Sequence, residues 1–110
     1  MTPEGKIKSK IDKMLRSKEL LWFFKPQAGT FGKSGVPDYI ICIAGHFLGV
    51  EAKANPARKP TALQMLCMEK ICAAEGVCFV VHDNDTLGAL EKFIDDVLIN
   101  RRAQRGLNLC

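Results

Sequence analysis

Apolar residues keep a helical rhythm near both ends of this chain and a strand-like rhythm between them. Ile7, Ile11, Met14 and Leu15 form one stripe at helical spacing and predict an amphipathic first helix. Thr2-Pro3 marks its start, a capping residue followed by proline at the first helical position. Leu20 to Phe24 reads as a strand, and Ala28 to Gly35 as a glycine-rich loop. Tyr39 to Ile43 is apolar throughout, which predicts a central strand buried on both faces. Ala44-Gly45 makes a tight turn into a second strand from Phe47 to Ala54. Asn55 to Pro60 is a polar, proline-containing loop. Thr61 then caps a helix carrying Leu63, Leu66, Cys67, Ile71 and Ala74, closed by Gly76. Val77 to Val81 is a strand, and Thr86 to about Arg101 a last helix with Leu87, Leu90, Ile94, Val97 and Leu98 facing in. The order α-β-β-β-α-β-α describes an α/β or α+β sandwich around one mixed sheet.

Composition narrows the class without naming a function. A chain of 110 residues predicts a single domain, with a core from about 3 to 101 and a basic tail from 102 to 110. No apolar run approaches the ~20 residues that cross a bilayer, so no membrane partner is expected. Lys6, Lys8 and Lys10 are followed by no apolar signal core, which predicts a cytoplasmic protein. Sixteen basic residues against twelve acidic ones give a net charge of +4. The basic residues gather in the first nineteen positions and again at Arg101, Arg102 and Arg105. That distribution suits a polyanionic partner, and equally a solvated helix face with a disordered tail. The five cysteines form no C-x-x-C, and four lie in apolar runs. They read as small buried hydrophobes rather than a zinc site.

The candidate chemistry lies in Gly35-Val36-Pro37-Asp38 and Glu51-Ala52-Lys53. If Ala44-Gly45 is a two-residue turn, paired residue numbers sum to 89 and Asp38 opposes Glu51. With Gly45-His46 as the turn the sum is 91, and Asp38 opposes Lys53. Either register places Asp38, Glu51 and Lys53 on one face, whereas a three-residue loop would not. Glu4 falls within the apolar stripe of the first helix and so at the edge of the core. It also reads as a first-turn acid favoured by the helix dipole. Three ionisable groups on one sheet face can be a structural Asp–Lys pair beside a solvated Glu. They are also what a magnesium ion requires, since it takes hard oxygen ligands and keeps several waters. An ammonium alongside can position an attacking water and offset charge on a phosphate.

These segments, with Gln64 on the following helix, resemble the PD-(D/E)XK nuclease superfamily. More closely, they resemble the stand-alone, phage-like form of the virus-type replication-repair nuclease (VRR-NUC) domain. The resemblance runs from Glu4 through Val81, and implies that superfamily's core fold. It implies Asp38 and Glu51 as ligands of Mg2+ or Mn2+, with the Ala52 carbonyl as a third oxygen and Glu4 reaching the ion directly or through water. Lys53 would then serve the attacking water and the scissile phosphate, and Gln64 would position the lysine or the substrate. Thr61-x-x-Gln64 is also a capping box, in which Gln64 folds back on the helix start. Lys6, Lys10, Lys33, Arg58 and Lys59 are candidates for DNA phosphate contact.

The expected activity is that of a metal-dependent, structure-specific DNA endonuclease in a bacterial or phage-infected cell. By resemblance it would act on branched DNA such as four-way junctions, in repair, as a homodimer. Trp22, Met65 and Met68 are candidate exposed contacts for the second copy, and core packing accounts for them equally well. A nickase with little structural preference and a non-catalytic nucleic-acid-binding module are the alternatives. Gly32-Lys33-Ser34 lacks the first glycine of a phosphate-binding loop and leads into a strand, so no nucleotide cofactor is expected. The glycine-rich loop would instead let the backbone approach DNA closely.

Overall fold

The computed structural model describes residues 1–27 and 35–108, with 102–108 described by their backbone alone. Helix α1 (Pro3–Arg16) starts where Thr2 predicts, its Oγ1 accepting from the Gly5 N–H at 3.0 Å. Its stripe of Ile7, Ile11, Met14 and Leu15 is buried. Strands β1 (Leu21–Phe24), β2 (Tyr39–Ile43) and β3 (His46–Ala52) follow, then α2 (Ala62–Ala73), β4 (Val77–Val81) and α3 (Asn84–Asn108). The four strands form one mixed sheet in the order β1-β2-β3-β4, antiparallel except for the parallel β3–β4 pair.

The β2–β3 turn is Ala44-Gly45, the first of the two registers considered. Ile43 opposes His46, and Ala44 and Gly45 take φ values of 46° and 87°, the left-handed pair that matches strand twist in a two-residue hairpin. Tyr39 therefore opposes Val50, and one step further out Asp38 opposes Glu51.

One face of the sheet carries Tyr39, Ile41, Ile43, Leu48, Val50, Ala52 and Val81. It is sealed against Ile11 and Leu15 of α1 and Leu90 and Ile94 of α3. Among the described residues, the other face is covered only in part, by α2. Strand β2 is thus not buried on both sides as its composition predicts: Cys42 is exposed and Ile40 half-buried. Helix α2 departs further from expectation. Leu63 and Leu66 are 54% and 48% exposed, while Met68, a candidate surface contact, is buried. A helix apolar all round carries no stripe from which its buried side can be read. The described cysteines follow the same open face. Cys42 and Cys72 are exposed and Cys67 and Cys78 half-buried, against the expectation of buried thiols. Burial still pushes the Cys78 thiol up to about 12, so it stays protonated and unreactive near neutral pH.

Two helix ends differ from the sequence reading for local reasons. Helix α3 begins at Asn84, before Thr86, because Asp83 is its cap. Asp83 Oδ1 accepts from the Thr86 N–H at 2.8 Å while Thr86 Oγ1 accepts from the Asp83 N–H at 3.2 Å. The helix then continues through the segment read as a tail, to Asn108. At the end of α2 the left-handed residue is Glu75, with φ 71°, rather than Gly76. The Gly76 N–H reaches the Ile71 carbonyl at 2.9 Å and the Glu75 N–H the Cys72 carbonyl at 3.0 Å, the two bonds of a Schellman ending. A side chain in this conformation is strained. Glu75→Gly is expected to raise stability by roughly 0.5–1 kcal/mol, net of the added unfolded-state entropy. The check is a higher urea midpoint at unchanged slope.

Candidate active site

Asp38 is positioned by the residues before it. Gly35 has φ 85°, and a Cβ there would lie 2.5 Å from the Leu63 carbonyl carbon and oxygen and 2.9 Å from the Gln64 nitrogen. The glycine in this motif therefore lets the chain pass against the first turn of α2, while residues 28–34 of the glycine-rich loop lie outside the described residues. Pro37 is fully buried, and its ring fixes the entry into β2. Asp38 Oδ2 then accepts from the Ala52 N–H at 2.8 Å, across the hairpin.

Glu51, opposite, is only 2% exposed. Its Oε2 is buried with no hydrogen-bond donor among the described residues. Burial, the hydrogen bond shared with Asp38 and the Asp38 charge push the Glu51 carboxyl up to about 9. Glu4 adds to the rise and Lys53 opposes it. Two carboxyl groups pressed together in this way need a proton or a cation between them.

Lys53 lies just beyond β3, where its N–H donates to the Val81 carbonyl at 2.9 Å and prolongs the parallel ladder. Its ammonium donates to Gln64 Oε1 at 2.9 Å. The same oxygen accepts from the Thr61 N–H at 2.8 Å, and Thr61 Oγ1 accepts from the Gln64 N–H at 3.2 Å. Gln64 is thus both the capping-box residue and the partner of the lysine. One side-chain oxygen accepts both bonds.

Glu4 reaches the cluster through a residue the sequence reading did not single out. Lys8 Nζ lies 3.5 Å from Glu4 Oε2 and 3.6 Å from Asp38 Oδ1. The helix that carries both is fastened to β2 by Tyr39, which is fully buried. Its hydroxyl lies 2.6 Å from Asp12 Oδ1 and 3.0 Å from the Lys8 carbonyl oxygen. Burial works against the Asp12 charge, yet the hydrogen bonds from Tyr39 and Lys25 hold that carboxyl below its usual value. The one available signal for Lys8 was its spacing, four residues after Glu4 and hence on the same helical face.

Lys6, Arg58 and Lys59 are exposed, and Lys10 donates to Asn84 Oδ1 at 2.9 Å. Lys33 lies outside the described residues.

A solved structure titled "VRR_NUC domain" superposes on this chain with a TM-score of 0.66, covering 89% of this chain and 96% of the other at 23% sequence identity. The fold is that of a VRR_NUC domain. No protein-family model matches the chain, and no curated protein does.

Among the described residues, no group of three or more His, Cys, Asp or Glu is arranged to hold a metal ion. What this VRR_NUC fold offers instead is the Asp38–Glu51 pair, with an orphaned buried oxygen on Glu51. Two carboxylates are enough for a cation that keeps most of its waters, so the residues present fit magnesium or manganese.

The pair also carries a pH signature. In the folded, metal-free protein Glu51 holds its proton up to about 9, against 4.5 ordinarily. Its contribution to stability is complete below the lower value and is lost as pH rises through the upper one. Melting temperature in chelator should therefore fall across that interval. Glu51→Gln, which needs no proton, should flatten the slope and melt higher than wild type at pH 8. Matched melts of the two proteins check this.

Proposed function

We propose that this protein is a Mg2+- or Mn2+-dependent DNA endonuclease. The observation that carries the reading is the buried Asp38–Glu51 pair beside a lysine held by Gln64. Asp38 and Glu51 would hold the ion, with the Ala52 carbonyl as a third oxygen and Glu4 at the rim. When bound, the divalent cation supplies positive charge against the negative charge that builds on the phosphorus oxygens. Lys53, oriented by Gln64, directs its ammonium protons at the attacking water and a non-bridging phosphate oxygen. The water oxygen forms the new bond to phosphorus and gives up a proton to solvent, as the bond to one ester oxygen breaks and that departing oxygen takes a proton from solvent. Burial around Glu51 keeps the charges in a poorly solvated setting, where each acts more strongly.

The substrate we propose is branched DNA, such as a four-way junction, recognised by backbone and shape. A domain of this size presents few side chains for base readout, and Lys6, Arg58 and Lys59 lie exposed for phosphate contact. We propose a homodimer on the open face of the sheet. Trp22 is 62% and Met65 45% exposed there and on α2, with Leu63 and Leu66 also exposed. Apolar exposure of this kind marks interaction surfaces.

Labelled duplex, flap, splayed and four-way substrates, each with magnesium or with chelator, test the reading. Magnesium-dependent cutting that favours the four-way substrate supports it, and cutting in chelator contradicts it. Equal cutting of all substrates points to a simple nickase. The ion pairs of Lys8 with Glu4 and Asp38 favour a second reading, a non-catalytic DNA-binding module. Binding without any cutting is its signature.

A further inference from the structure

We infer that Lys8 is a resident counter-cation of the carboxylate cluster, one that a divalent ion must displace to bind; this rests on the metal-site reading above. Lys8 Nζ stands between Glu4 Oε2 and Asp38 Oδ1, at 3.5 and 3.6 Å. Those are two of the acids assigned to the ion, and the third, Glu51, is pressed against Asp38. Glu4 and Asp38 brought this close would repel each other, and in the metal-free chain this ammonium offsets part of that repulsion.

The placement is built into the fold rather than left to a loose surface side chain. The Lys8 carbonyl is held at 3.0 Å by the hydroxyl of Tyr39, the residue next to Asp38 in sequence. Tyr39 is fully buried, and it also bonds Asp12 one turn further along α1. Helix α1 is therefore docked on β2 in one register, which brings position 8 level with Asp38. The Lys8 side chain remains about one-third exposed, at 34%, so the ammonium can swing to solvent without moving the backbone.

A univalent cation in this position competes with the divalent one. Its removal takes away both the occupant and the repulsion felt by the incoming ion. Its loss also leaves the acids unneutralised when no metal is bound.

The experiment is calorimetric titration of Mn2+ into the full chain without DNA, for wild type, Lys8→Met and Lys8→Arg. Lys8→Met keeps the length of the side chain and removes the charge. It is expected to bind Mn2+ roughly ten- to a hundredfold more tightly than wild type, whereas Lys8→Arg stays close to wild type. Thermal melts provide a readout independent of activity. Lys8→Met should melt lower than wild type in chelator and gain more on adding Mn2+. Measurable binding with the same affinity in wild type and Lys8→Met overturns the inference and leaves the metal site standing. Weaker binding by Lys8→Met does so too, and makes the lysine a support of the site instead. No Mn2+ binding by any of the three proteins overturns the metal-site reading and this inference with it.

Discussion

Lys53→Met is expected to give a folded protein that binds DNA within a few-fold of wild type and cuts it about 10²–10³-fold more slowly. The fold should survive because Gln64 Oε1 keeps its second bond, to the Thr61 N–H at 2.8 Å. The methionine chain fills the same half-buried space. What disappears is the ammonium that Gln64 holds at 2.9 Å, the group proposed to face the phosphate oxygen. Single-turnover cleavage and a gel-shift titration separate the two effects. Cleavage within tenfold of wild type would show that Lys53 has no part in the chemistry. A parallel loss of binding would mean that the lysine serves to hold DNA.

The second large effect is expected at Gly35. Gly35→Ala should lower stability by roughly 2–4 kcal/mol, combining the left-handed backbone with a clash against main chain that cannot rotate away. For a domain of this size that is a fall in melting temperature of about 10–25 °C. Gly45→Ala is the matched control. Gly45 has nearly the same φ, 87° against 85°, but a Cβ there meets nothing within 4 Å. Its cost is the backbone term alone, about 1–2 kcal/mol. The surplus at Gly35 measures how closely the Asp38 segment is pressed on the start of α2. That contact also registers Gln64 against Lys53, so Gly35→Ala should slow cleavage even at temperatures where it remains folded. Equal costs at the two glycines would show that the close approach does not form in solution.

Much of this arrangement is legible in the chain because it is local. Thr2-Pro3 fixes the start of α1, and Thr61-x-x-Gln64 fixes the start of α2, each within one turn. A two-residue turn at Ala44-Gly45 sets the register of β2 on β3, and strand alternation then brings Asp38 opposite Glu51. Lys8 is hard to see in advance for the opposite reason. Its partner Asp38 is thirty positions away, and the pair exists only because Tyr39 docks α1 on the sheet. The buried side of α2 is equally hidden, since its apolar residues surround the helix and tertiary contact alone selects Met68 over Leu66. Glu75 takes the left-handed position although a glycine stands beside it. A Cβ at Gly76 would fall 2.6 Å from Ile71 Cγ2, so the glycine is required one residue later, for space. The start of α3 was marked after all, by Asp83-x-x-Thr86, a cap pair of the same kind as Thr61-x-x-Gln64.

The central claim is that the acids at 38 and 51 share one divalent ion. Crystals grown with Mn2+, with diffraction recorded on either side of the manganese absorption edge, test it most directly. The account predicts a single strong anomalous peak within about 2.3 Å of oxygens from both Asp38 and Glu51, with Lys8 Nζ moved off Asp38. A peak elsewhere, or none at saturating Mn2+ with Lys8 still bridging Glu4 and Asp38, would contradict it.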